Sequence, residues 1–492
     1  MAMQFPAECG DLATWRWLFG PAGEAALLRA ENLAQAGVEP LRLLSQLRKD
    51  LAPPQANLVL EQMTLRQTAL RKFPWGDQLF WTRRALEQAS DAAIAAYKGY
   101  RAAAFFAGGA ETLHNAMGPE WQPLRGASLP LHDLCCGLGG DAWGFARYFS
   151  VTGYEADELT ALIARENAVR WVELLRREEP TLNLSRLAIL HQPVERICLG
   201  EIQNWHIDPD RRPAGSRTTE WQWHSPDGAF LQQLVANSPT GVIKGAPAAP
   251  RIAELAEPQT REWISTRREC RQQLVWLGDW SYASGHHVAT RIVAERGEAG
   301  DGRREAGEER WEAGEGRRET QALGYGESAF HPNQGMRTNF FADSWCRYAA
   351  YSFVGEPGLS AAPSETWGPY LYEPDPAILA ADLGGAFARQ WDWGQVVPEV
   401  AYYSAATSRR HPLCSCFGVL AVLPWRAGPV RAWLKENRRY VAEIKKRGVP
   451  LRPEDVRQQL AAGSAAGDLQ PVVLLLTSQN NRVVAIIAER IT

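Results

Sequence analysis

Residues Leu131 to Asp141, LHDLCCGLGGD, concentrate the residue types that a small-molecule site needs. An apolar run ends in an acid, passes through two cysteines and opens into glycines ahead of the helix-forming stretch Ala142 to Tyr148. That is the pattern of a strand, a tight turn and a helix N-terminus, where missing side chains let a ligand approach the backbone. Gly137, Gly139 and Ala142 also satisfy a relaxed dinucleotide fingerprint, with an acid further on at Glu155. Charge decides between ligands. Asp133 and Asp141 flank the turn and would repel a pyrophosphate, whereas a ligand bringing an ammonium, a sulfonium and two ribose hydroxyls suits carboxylates.

Further acids recur at the ends of apolar runs. Val151 to Glu155 predicts a second strand, and a carboxylate at a strand's carboxyl end can accept both ribose hydroxyl hydrogen bonds, so Glu155 is the candidate there. Asp157 reads as the N-cap of a helix from Leu159 to Leu175. A third run, Leu187 to Leu190, leads to His191 and Gln192, and a fourth ends in Trp205-His206-Ile207-Asp208-Pro209-Asp210-Arg211-Arg212.

DLCCGLGGD, then VTGYEADELTALIARENA (Val151 to Ala168) and IDPDRR (Ile207 to Arg212), together resemble the donor core of class I S-adenosylmethionine-dependent methyltransferases. Within that class the chain is most similar to the bacterial group with a C-terminal THUMP-like domain, and more distantly to trimethylguanosine synthases. The resemblance continues upstream through LRKD, EQMTLRQTALRKFP and FWTRRALEQAS and downstream through YLYEPDPA and EIKKRG, in the expected order.

The resemblance implies a Rossmann-like α/β sheet with an N-terminal helical region and a C-terminal α/β THUMP-like module, with S-adenosyl-L-methionine as cofactor. It places Asp133, Cys135, Gly137, Gly139 and Gly140 at the donor's methionine end, Glu155 at the ribose and Gln192 at the adenine. Gln192 stands where members often have an acid; its amide oxygen is a weaker acceptor. Asp208 and the Pro209 carbonyl are the catalytic candidates. An exocyclic amino nitrogen is a poor nucleophile because its lone pair is conjugated with the ring, and such acceptors can polarise its N–H bonds and hold it in line. The second proline and the aromatic that often follow are absent. Arg211 and Arg212 follow instead, either gripping a phosphate or stacking on a base, or pairing with Asp208 or Asp210 to order the loop.

A chain of 492 residues exceeds one ordinary core. The expected division is a helical region at 1–125, the methyltransferase core at 126–294, an insertion and linker at 295–367, and the THUMP-like domain at 368–492. A net charge of -3 gives no global pull toward nucleic acid, so binding must rest on a local patch. No apolar run approaches a membrane span and the N-terminus lacks a signal-peptide pattern. The eight cysteines lack zinc-site spacing, so the expectation is reduced thiols, no metal and a cytoplasmic location.

Leu58, Leu60, Met63, Leu65, Leu70 and Phe73 predict a helix that begins at Pro53-Pro54. A further helix is expected over Arg83 to Phe106, broken near Gly99, with Lys72, Arg83 and Arg84 either solvated or touching substrate. Between Arg296 and Glu319, six arginines face eight interspersed acids, which argues against a strong positive field. The final domain alternates strand and helix patterns from Phe417 to Glu489, and Lys445, Lys446 and Arg447 form a basic cluster able to neutralise phosphates. Methylation of structured RNA, tRNA or rRNA, at an exocyclic base nitrogen is therefore the expected activity. The alternative is a non-catalytic RNA-binding protein with a degenerate core.

Overall fold

The computed structural model describes residues 11–106, 129–178, 186–211, 218–252, 255, 258–295, 336–343, 346–461 and 469–491. The expected boundary near Gly126, the arginine- and glutamate-rich stretch and Arg212 lie outside the described residues.

The first sheet contains β1 (Pro130–Leu134), β2 (Ser150–Glu155), β3 (Leu187–His191), β4 (Asn204–Ile207), β5 (Thr240–Gly245), β6 (Gln259–Thr266), β7 (Glu269–Leu277), β8 (His287–Glu295), β9 (Met336–Asp343) and β10 (Cys346–Gly355). Their order is β3-β2-β1-β4-β5-β7-β6-β8-β10-β9. The first five strands are parallel, and β7 runs antiparallel between β5 and β6. Strand order reverses between β1 and β4, which opens a crevice at their carboxyl ends. β9 and β10 fall in the 295–367 span read as insertion and linker, yet they extend this sheet. The low complexity stops before the aromatic-rich stretch NFFADSWCRYAAYSFVG, whose residue types suit strands.

The N-terminal helices Leu12–Phe19, Pro21–Gln35, Pro40–Leu47 and Pro53–Ala69 pack around buried Trp15, Leu27, Leu43 and Leu58. The expected long helix is two helices, Arg83–Gln88 and Ala92–Phe106. The break falls at Ser90-Asp91, not at Gly99. Gly99 is inside the second helix because that helix crosses Gly140–Ala146 at very short range: a Cβ on Gly99 would lie 2.2 Å from the Gly144 carbonyl oxygen. A Cβ on Gly144 would lie 2.1 Å from that of Ala95. On the same helix, Tyr97 donates to Glu262 at 2.6 Å, which also accepts from Trp276 at 2.7 Å. The helical region is thus bonded into the sheet's core.

The second sheet has order β11-β13-β14-β12-β15-β18-β17-β16, built from β11 (Ala362–Pro363), β12 (Tyr370–Pro374), β13 (Gly394–Gln395), β14 (Tyr403–Ala405), β15 (Cys414–Pro424), β16 (Arg439–Arg447), β17 (Gln470–Gln479) and β18 (Arg482–Ile491). Helices Ala427–Glu436 and Pro453–Ala461 bury Val430, Leu434 and Val456 against Leu474, Leu476 and Ile487. This is the α/β alternation anticipated for the C-terminal module. It joins the first sheet through Ser265 on Asp375 at 2.5 Å and Arg291 on the Pro412 carbonyl at 2.6 Å.

Gly99→Ala tests the helix crossing. Alanine gains about 1 kcal/mol in helix propensity, but overpacking typically costs about 1–3 kcal/mol and here meets backbone. The expected net effect is a lower thermal midpoint by calorimetry.

Candidate functional site

A cavity of about 390 Å³ opens along the carboxyl ends of the parallel strands, at the switch between β1 and β4. Its floor is the turn after β1. Cys135, Gly137 and Gly139 hold φ of 62°, 56° and 91°, left-handed values that favour glycine and let the chain fold back tightly. Both carboxylate oxygens of Glu155, at the end of β2, accept backbone hydrogen bonds, from Gly137 at 3.0 Å and Asp157 at 2.9 Å. Burial pushes the Glu155 carboxyl up, only partly offset by those backbone donors. The carboxylate is therefore fixed at the cavity wall with further lone pairs available.

The opposite wall is the loop after β4. Asp208, Pro209, Asp210 and Arg211 line it. Lys244, near the end of β5, binds Asp208 at 2.5 Å and the Gln88 carbonyl at 3.2 Å. Arg84 and Gln88 descend from the helical region onto Asp210, at 2.7 and 3.1 Å. The helix Arg83–Gln88 thus borders the cavity, and Arg84, read from the sequence as either solvated or touching substrate, is paired with Asp210.

A buried charge network reaches the cavity wall at Ser90, Asp141 and Lys244. Asp141 receives Lys98 at 2.5 Å and Ser90 at 3.0 Å, with Lys244 at 3.8 Å. Lys98 also lies 3.1 Å from Nε2 of His206, whose Nδ1 is 2.6 Å from Asp133. Burial pushes the Asp141 carboxyl up, but Lys98, Lys244 and His206 outweigh it and hold the group well below the usual carboxylate range. Lys244 is held above its ordinary value: burial lowers it, and Asp208 and Asp141 raise it further. Burial drives the Cys135 thiol well up, reinforced by Glu155 and Asp208, so it stays protonated and is a poor nucleophile.

The expected site residues divide accordingly. Cys135, Gly137, Gly140, Glu155, Asp208, Pro209 and Arg211 line one cavity. Asp133 does not: it is fully buried and turned to His206, its partner in register on β4, because successive residues of a strand face opposite sides. Gly139 lies beneath the turn, where a Cβ would meet the Trp143 ring at 3.0 Å. Gln192 turns its amide to the Arg196 carbonyl at 3.3 Å, and Val194 and Glu195 form the wall beyond β3 instead. Lys72 donates to the carbonyls of Leu86, Glu87 and Ala89, tying off a helix end.

The basic cluster on β16 is not a continuous patch. Lys445 and Arg447 share one face and converge on Glu373, at 2.7 and 3.2 Å, while Lys446 faces the other way and is exposed. The neutralising acid lies on β12, distant in sequence. Sequence reading also passed over Lys98; its one signal was a lysine inside the apolar run AAIAAYKGY.

The sheet and site define the class I methyltransferase fold. A proposed methyltransferase from Porphyromonas gingivalis W83 superposes with a TM-score of 0.60 at 17% identity, covering 95% of this chain and 98% of that one. Magnesium protoporphyrin IX methyltransferase from Synechocystis PCC 6803 aligns at 11% identity over 45% of this chain and 96% of its own, with a TM-score of 0.24. Residues 414–490 match the THUMP domain-like family, so the C-terminal module is a THUMP-like domain. Residues 11–69 match a domain of unknown function, DUF8688. No curated protein matches the chain. Among the described residues, no helix is long and apolar enough to cross a membrane and no group of three His, Cys, Asp or Glu is placed to hold a metal ion.

Lys98→Met removes the main cation beside a buried carboxylate and is expected to cost about 3–5 kcal/mol, read as a lower thermal midpoint. Because Asp141 is depressed in the folded state, its contribution is complete above about pH 4 and lost as the pH falls below that. The midpoint difference between wild type and variant should therefore be full at neutral pH and shrink in acid.

Proposed function

We propose that the chain is an S-adenosylmethionine-dependent methyltransferase acting on structured RNA, tRNA or rRNA, at an exocyclic base nitrogen. The division of the cavity carries this reading. Glu155, Asp157 and Glu195 line the half beside β2 and β3, whereas the cations of the lining, Arg84, Arg211 and Lys244, belong to the half around the Asp208-Pro209 loop.

The acidic half fits a cationic donor and disfavours a pyrophosphate. S-adenosyl-L-methionine supplies a methyl group on a positively charged sulfur. Glu155 accepts the ribose hydroxyls, while Cys135, Gly137 and Gly140 border the methionine end, where small residues leave the backbone open. Across the cavity, Asp208 and the Pro209 carbonyl receive the acceptor's N–H groups and orient its lone pair. Lys244 holds Asp208 at the wall. Asp208 is also the group placed to take the proton that the methylated nitrogen loses. The THUMP-like domain supports RNA as the molecule presented to this site.

A second reading, a non-catalytic RNA-binding protein that keeps the donor pocket as structure, draws on the ion pair that already engages Asp208. Calorimetric titration with S-adenosylmethionine and with NAD, followed by methyl transfer to bulk tRNA and rRNA, separates them. Glu155→Gln is expected to weaken donor binding about 10- to 100-fold, the worth of a charge-assisted hydrogen bond. Asp208→Asn is expected to leave donor affinity intact and lower turnover. Undiminished donor affinity in Glu155→Gln overturns the ribose assignment, and binding of NAD overturns the donor itself.

A further inference from the structure

β6 turns into β7 through Arg267 and Arg268 alone, with Thr266 paired to Glu269. Their φ values are 49° and 60°, so both central residues of this tight hairpin are left-handed, a geometry that favours asparagine, aspartate and glycine. The β17–β18 hairpin has the same form, with Asn480 and Asn481 at φ 50° and 57°. One turn thus uses the suited residue type, and the other holds two arginines against the local preference. Such a departure marks a place where the side chains are wanted for something else.

The position of that turn gives it a task. β6 runs in the same direction as β5, since both pair antiparallel with β7, so the tip projects on the edge where the cavity opens. From the tip, β7 leads to Gln272, whose side-chain amide lies 3.2 Å from the hydroxyl of the cavity-lining Ser90. Four residues of strand span roughly 13 Å. Arg268 leans on Ser415 at 2.5 Å, at the start of β15. Just before that strand, Arg409 and Arg410 are exposed, and residues 406–411 carry no acid. Arg409 lies over the Trp391 ring at 4.4 Å, and its backbone N–H is fixed by the Tyr372 hydroxyl at 2.7 Å. The acid flanking the hairpin, Glu269, is occupied by Arg271 at 3.0 Å.

We infer that the RNA backbone is gripped across the junction of the two sheets, by Arg267 and Arg268 of the β6–β7 hairpin and Arg409 and Arg410 of the loop before β15. This rests on the RNA reading above. Guanidinium forks match phosphate oxygens, and the exposed Arg409 guanidinium, held over the partly buried Trp391 ring, offers a flat surface to an unpaired base. β16 offers less, because Arg439 is paired with Glu489 and Lys445 and Arg447 with Glu373, leaving Lys446 as its exposed cation.

The test is fluorescence anisotropy with a labelled RNA hairpin bearing a single-stranded tail, titrated over a series of salt concentrations. Arg267→Asn with Arg410→Ala removes two charges, and asparagine suits the left-handed turn, so the thermal midpoint and donor affinity should not fall. The slope of log affinity against log salt is expected to drop by about 1.4–1.8, the loss of two phosphate contacts. Lys446→Ala is the comparison and should leave the slope unchanged. An unaltered slope in the double variant, with wild type binding RNA, overturns the location while the RNA reading stands. Failure of the wild type to bind the hairpin even near 50 mM salt overturns both.

Discussion

The pairing of Lys98 with Asp141 is the constraint on which the remaining arrangement depends. A lysine with no exposed side chain is tolerable only with an ionised partner and filled hydrogen-bonding positions. Asp141 stands at the start of the helix after the glycine turn, so the pair forces helix Ala92–Phe106 onto that turn. Gly99 and Gly144 make the approach sterically feasible. Once that crossing is set, the preceding helix Arg83–Gln88 has little freedom and falls over the Asp208–Arg211 loop, where Arg84 and Gln88 meet Asp210.

The same charges link structure to chemistry. Asp141 faces Lys98, Lys244 and His206, and Lys244 in turn holds Asp208. The carboxylate on the wall after β4 is therefore connected through one lysine to the carboxylate that docks the helical region. Glu155 stands apart, fixed by backbone donors. This separation keeps one half of the cavity acidic while the acids of the other half are matched by cations, which is the polarity a cationic donor and a polar acceptor require.

The THUMP-like domain is attached by a second buried acid. Asp375, next to the end of β12, accepts from Ser265 and lies 3.7 Å from Arg291. Burial pushes its carboxyl up against the lowering pull of Arg291. The contact fixes the second sheet beside the β6–β7 hairpin, on the edge of the first sheet that carries the cavity.

Much of the cavity lining was legible in the sequence because its information is local. Apolar runs ending in acids and a glycine turn are readable from spacing, and the family resemblance added the Asp-Pro step; together they pointed to Glu155, Asp208 and the Gly137 turn, which line one cavity. Only the tertiary structure decided which charges face it. Asp133 belongs to the same motif, yet its side of β1 looks toward His206, and Lys98 meets a residue 108 positions away. Lys445 and Arg447 look like an open basic cluster until β12 brings Glu373 beneath them. Strand period and turn chemistry are properties of neighbouring residues, so the chain itself determined the elements and their ends. The fate of a charge depends on its partner's distance and on exclusion of water, and those are set only when distant segments pack.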